Sequence, residues 1–268
     1  MTQQKYQLIL AYDGTNFEGW QSRRAGRGVR HEIEQALMRI YGTCMEIESS
    51  SRTDAGVHAQ GLSVHVIVPV KTIRMPARQL QAALNSQLPD DIRVMSARAV
   101  SLSFHARFDA SAKEYLYQIH LGGTMHPLMR HHYWHIAHEL DITAMQKSAH
   151  LFIGRHDFRH FTVKRKGELL DSHRTLMDCR VIKRGAMLTI RIVGEGFLYK
   201  MCRRIVGTLV QVGEGKMTVE QIQEILQSSA PQTGGYVAPA HGLILRRVLY
   251  ASKKISITSA PNQESEKV

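Results

Sequence analysis

The order of elements in the sequence predicts an α/β (α+β) fold. Two ferredoxin-like halves are expected, each with an antiparallel sheet, and a catalytic cleft between them. Three observations predict this. Residues 1–100 read β-α-β-β-α-β, the order of the ferredoxin-like unit. Residues 101–251 run through the same order in longer pieces. A chain of 268 residues, 43% hydrophobic and 22% charged, is long enough for two ordinary domains and apolar enough to fill their cores. Residues 252–268 form a polar tail, expected to be disordered.

In the first half, residues 6–12 are an apolar run of strand length, followed by a loop rich in Gly and Arg. Val29, Ile33, Ala36, Leu37, Ile40 and Tyr41 fall on one helical stripe. Residues 45–48 make a short strand, and 49–61 are loop-like. Leu62, Val64, Val66 and Val68 alternate with Ser63, His65 and Ile67, the pattern of a half-buried strand. Leu80, Ala83, Leu84 and Leu88 mark a second helix closed by Pro89, and 92–99 a last strand.

In the second half, residues 115–121 read as a strand. Asp141 caps a helix carrying Ile142, Met145, Ala149 and Phe152 and stopped by Gly154. Residues 176–183 and 187–193 form a strand pair. Leu198, Met201, Cys202, Ile205, Leu209 and Val212 mark a strong helix. Thr218 and Gln221 have capping-box spacing before a shorter helix, and 243–250 is the final strand.

Lys and Arg number 35 against 23 Asp and Glu, a formal charge of +12. So basic a chain is expected to meet a polyanion, nucleic acid first. Arg23, Arg24, Arg27 and Arg30 form one cluster, Lys164, Arg165 and Lys166 a second, and Arg246 and Arg247 a third, all read as lying in loops or at element ends. Each cluster alone reads as a solvated face; together they suggest a groove that follows phosphates. Cys44, Cys179 and Cys202 form no CxxC pair, so reduced thiols and a cytoplasmic location are expected. Neither a signal peptide nor a membrane span is expected.

The stretch most able to carry chemistry is RTDAGVHAQG, residues 52–61, between two expected strands. A loop held at both ends by strands presents a side chain rigidly. Arg52 stands two residues from Asp54 and favours its ionised form. An oriented carboxylate can serve as nucleophile, base or metal ligand; the same residues also suit an ordinary turn. The fragment is joined by YDGTNFEGWQ (12–21), FHARF (104–108) with KEYLY (113–117), GRHDFRHF (154–161), GEGFLYKMCRRIVGTLVQVG (194–213) and APAHGL (238–243). These six, in order over nearly the whole chain, resemble the motifs of the TruA-type tRNA pseudouridine synthases.

The resemblance implies that the chain isomerises uridine to pseudouridine at positions 38 to 40 of the tRNA anticodon stem-loop, as a homodimer and without a cofactor or metal. Asp54 matches the family's essential aspartate and is assigned as nucleophile, toward C1′ or C6. Tyr115 matches the active-site tyrosine, able to stack on an extruded base. Arg203 matches an arginine expected to pair with Asp54 across the cleft, and Arg52 one that helps displace the base. Phe197 and Leu243 match apolar positions lining the base pocket. Tyr115, Phe197 and Leu243 also suit plain core packing. Arg23, Arg24, Arg27, Lys164, Arg165 and Lys166 are the candidates for the RNA backbone. Ser51 departs from the family's usual glycine, which would strain the loop if that position needs a positive φ. Arg30 and Phe17 also depart, from Gln and Tyr.

Two other classes compete. A basic RNA chaperone of the same fold would not need Asp54, Tyr115 and Arg203 together. A metal-dependent hydrolase would have to draw on His131, His132, His135 or the i, i+4 pair His156 and His160, but no HExxH or Cys/His set accompanies them.

Overall fold

The computed structural model describes residues 3–22, 26–69, 75–163, 171–228 and 234–250. Its first half comprises β1 (Gln3–Tyr12), α1 (Val29–Tyr41), β2 (Ile47–Ser49), β3 (His58–Pro69), α2 (Ala77–Gln87) and β4 (Ile92–Val100). The second comprises β5 (Ala110–Leu121), β6 (Trp134–Ile136), α3 (Ile142–His150), β7 (Gly154–Asp157), β8 (His173–Arg184), β9 (Met187–Gly194), α4 (Met201–Gly213), α5 (Val219–Gln227) and β10 (Leu243–Tyr250). β4 ends at Val100. The tail from Ser252 lies outside the described residues.

The strands run β4-β1-β3-β10-β5-β9-β8-β7, with β2 beside β3 and β6 beside β5. The blocks β4-β1-β3-β2 and β10-β5-β9-β8 each place fourth, first, third and second strands in the order the ferredoxin-like reading requires. The two sheets are, however, continuous. β10 joins β3 in parallel through Ile244 opposite His58 and Leu245 opposite Ala59. The free edge of β3 is thus shared end to end, with β2 opposite Val64 to Val66 and β10 opposite its first residues.

The helices form where their apolar stripes meet the sheet. Val29, Ile33, Ala36 and Leu37 bury the inner face of α1, and Gly42 ends the helix in the left-handed region at φ 70°. The Asp141 carboxylate accepts from the Ala144 N–H at 2.9 Å and starts α3. Thr218 and Gln221 complete the capping box of α5.

Several elements depart from the sequence reading. β3 starts four residues early, at His58, because β10 supplies it with a partner there. It is also buried on both faces rather than one: Ser63 and His65 are both buried, and His65 lies beneath residues 101–109. That cover is held by Lys5 Nζ donating to Leu102 O and to Phe104 O (2.8 Å), and by the Ala106 N–H donating to His65 Nδ1 (3.1 Å). β5 starts at Ala110, not Tyr115, and α3 ends before Phe152. β6 and β7 carry little apolar alternation and are formed by pairing with β5 and β8.

Candidate active site

Asp54 sits on the loop from β2 to β3, and the segment after β1 holds that loop in place. Tyr12 OH and Thr53 Oγ1 share a hydrogen bond of 2.8 Å. The Trp20 N–H donates to Thr53 O at 3.1 Å, and the Gly56 N–H to Phe17 O at 3.2 Å. Two glycines permit this approach. A Cβ on Gly14 would lie 2.1 Å from Val57 O, and one on Gly19 2.5 Å from Thr53 O. Gly19 also has φ +95°, which L side chains rarely adopt. The YDG…GW residues are therefore a backbone clamp on the aspartate loop. Ser51 does not occupy the left-handed region: Lys200 is the sole non-glycine there among the described residues. The substitution at Ser51 thus adds no backbone strain.

Asp54 pairs across the seam between the halves. Arg203, in the first turn of α4, donates Nη1 to Asp54 Oδ2 at 3.2 Å and Nε to Ala238 O at 2.7 Å. Both side chains are largely buried. Arg203 is thus fixed at two points, one of them a backbone carbonyl. Arg52 makes no ion pair with Asp54; it is exposed at the rim, without a hydrogen-bonded partner among the described residues.

The pair opens onto a cavity of about 390 Å³. Tyr115, Phe197, Leu198, Met201 and Leu243 give it apolar walls, and Arg52 and Lys200 lie along it. Tyr115 and Phe197 meet edge to face, with centroids 5.1 Å apart. Burial raises the Tyr115 phenol well above its ordinary value, so it stays neutral. Burial does the same to the Cys202 thiol, which argues against a thiolate nucleophile. The arrangement can hold a flat ring against aromatic and aliphatic walls beside one fixed carboxylate.

Other candidates fall elsewhere. The Arg27 guanidinium bonds Asp91 (2.5 and 2.9 Å) and Glu32 (2.8 Å) and lies 4.2 Å from the Phe17 ring centre, a packing role. Arg23, Arg24, Lys164, Arg165 and Lys166 lie outside the described residues. His156 and His160 are on a strand and a 3₁₀ turn, so their spacing is not helical; their Nε2 atoms face Ile153 O and Ser228 O. Asp13, His58 and His132 lie close enough to suggest a metal site. Yet His58 Nδ1 accepts from the Gly14 N–H at 2.9 Å, and its Nε2 faces His131 O and His241 O at 2.8 and 3.1 Å. With both ring nitrogens engaged, His58 reads as a pin between segments of the two halves.

The sequence reading missed Lys113, Arg107 and Arg174, which also line the cavity. Lys113 was legible in principle: it stands two residues before Tyr115 on one strand, hence on the same face.

A family profile described as tRNA pseudouridine synthase matches residues 8–109 and 148–251. The chain is 40% identical over 247 residues to tRNA pseudouridine synthase A of Anoxybacillus flavithermus, covering 92% of this chain and 98% of the relative. It is 41% identical over 249 residues to the protein of that name from Geobacillus kaustophilus, covering 92% and 95%. Among solved structures, a Cbf5-Nop10-Gar1 complex aligns over 89% of this chain and 57% of that one, at a TM-score of 0.32 and 12% identity. That likeness is too distant to carry an argument.

Proposed function

The chain belongs to the tRNA pseudouridine synthase family, and from that premise we propose that it isomerises uridine to pseudouridine at positions 38 to 40 of the tRNA anticodon stem-loop. The N1–C1′ bond breaks, the base turns, and C5 bonds to C1′. The C5 proton is lost and N1 gains one, so the sum is an isomerisation that needs no redox partner and no cofactor.

The target base must leave its stack, which costs a few kcal/mol. Stacking on an aromatic ring returns about 1–3 kcal/mol. Tyr115 and Phe197 supply the rings, and Leu243 closes the pocket. Arg52, exposed at the rim, takes the place the base vacates. Asp54 is the nucleophile, held toward the sugar and base by Arg203. The neutral Tyr115 phenol adds no second negative charge beside it.

The domains are residues 1–100 and 101–251, and the carboxylate works at their seam. The protein acts in the cytoplasm as a homodimer, one tRNA lying across both subunits. No helix among the described residues is long and apolar enough to cross a membrane.

The observation that carries this reading is the Asp54–Arg203 pair inside a cavity walled by Tyr115, Phe197 and Leu243. Tritium release from tRNA labelled at uridine C5 tests it. The native chain releases label and Asp54→Asn does not, although it still binds tRNA. Equal binding with no release by either would favour an RNA chaperone instead. Activity lost to chelators would favour a metal hydrolase.

A further inference from the structure

Three cations meet along the cavity, and among the described residues no carboxylate is bonded to any of them. Arg107 belongs to the cover over β3, Lys113 comes from β5, and Arg174 from β8; all three line the cavity that holds Asp54. Lys113 and Tyr115 leave the same face of β5, about 7 Å apart along the strand. Lys113 is half-buried and makes no hydrogen bond or ion pair with any described residue. Arg174 donates Nη1 to the backbone oxygens of Asp171 and His173 at 2.8 and 2.6 Å, which fixes the fork and leaves other N–H groups free of described partners. The stem of Arg174 lies where a Cβ on Gly196 would be 3.7 Å away. Arg107 lies 5.7 Å from the Phe108 ring centre, and that ring is 74% exposed.

Arg191, Arg203 and Arg247 are neutralised. Glu114 binds Arg191 and Arg247, and Asp54 binds Arg203. Glu48 lines the cavity but forms no ion pair with the three; the exposed Asp171 carboxylate bonds His173 and feels the Arg174 charge only at longer range. Burial, then the repulsion of Arg107 and Arg174, pushes Lys113 down to about 8. Free protein therefore holds an electrostatic cost that an anion would relieve.

We propose that Arg107, Lys113 and Arg174 form a phosphate site that grips the RNA backbone beside the extruded nucleotide. The proposal rests on the function inferred above. A phosphate offers several acceptor oxygens, matching a fixed fork and a point charge set side by side. Such a grip fixes register and carries no base preference, as an enzyme serving adjacent positions requires.

The test separates binding from turnover by using the Asp54→Asn chain as parent. Its affinity for a synthetic anticodon stem-loop RNA is measured from 50 to 200 mM salt. Lys113→Met and Arg174→Met, each added to the parent, are expected to weaken binding several-fold and to lower the slope of log K against log salt by ~0.7–0.9. Lys113→Arg keeps the charge and is expected to keep the slope, which separates a lost contact from a damaged fold. Parental slopes in both Met variants overturn the site, as does a Lys113→Arg slope as low as that of Lys113→Met. Tritium release by the native chain is read separately, so failure of the enzyme reading leaves a different record.

Discussion

Replacing Gly19 by alanine tests whether the clamp after β1 aims Asp54. The added Cβ would lie 2.5 Å from Thr53 O and 3.0 Å from the Asp54 carbonyl carbon. Carbon–oxygen contacts ordinarily begin near 3.3 Å, so the loop or the clamp must move by about 0.8 Å. Thr53 is also tied to Tyr12 and Trp20, so the movement carries the next residue with it. A positive φ adds about 1–2 kcal/mol of backbone cost. Gly42→Ala supplies the control: Gly42 also has a positive φ at the end of α1, but a Cβ there meets nothing within 4 Å. Both variants are expected to lose stability by a similar backbone cost. Only Gly19→Ala is expected to lose kcat in the tritium assay, by about 10²-fold for a displacement near 1 Å, with RNA affinity little changed. Both are compared well below their melting temperatures. Equal kcat in the two variants refutes the clamp as the device that aims the carboxylate.

Two further outcomes follow from the geometry. Arg203→Lys retains the charge but cannot hold both Asp54 and Ala238 O, so single-turnover release should fall at least about tenfold; a native rate would remove the two-point role. Burial, aided by Lys5 and His105, pushes His65 from 6.5 down to about 4. The unfolded chain therefore takes up a proton that the folded chain refuses. Stability is full above about pH 6.5 and is lost as pH falls toward 4, by up to about 3 kcal/mol. Urea unfolding at neutral pH and at pH 4.5 measures this loss. His65→Gln should flatten the difference, and an unchanged acid loss would place its origin elsewhere.

What was legible in the sequence is what short-range pattern encodes. The stripes of α1 and α4 gave their spans to within a few residues, since burial of one face dictates the spacing, and the capping box marked the start of α5. The loop of Asp54 was legible from its turn residues between strands. Its partner was not readable by proximity: Arg52 is two residues away and unpaired with it, whereas Arg203 is 149 residues distant and bonded. Only the family resemblance pointed to Arg203. The second buried face of β3 was hidden because its covering residues 101–109 belong to no regular element. The i, i+4 histidine spacing carried no ligand set, since a period of four implies one face only on a helix and His156 and His160 lie on a strand and a 3₁₀ turn. Lys113 was overlooked because a lysine in a strand ordinarily points to water, and its three-cation setting exists only after β5 and β8 share a sheet.

The parallel join between β3 and β10 has a consequence for biosynthesis. His58 meets Ile244, so β10, synthesised after every other described strand, closes the pocket beside the start of β3. Leu243 arrives with it. A growing polypeptide is therefore inert toward RNA modification until β10 has emerged, and a protease that removes β10 abolishes turnover while sparing the other described strands.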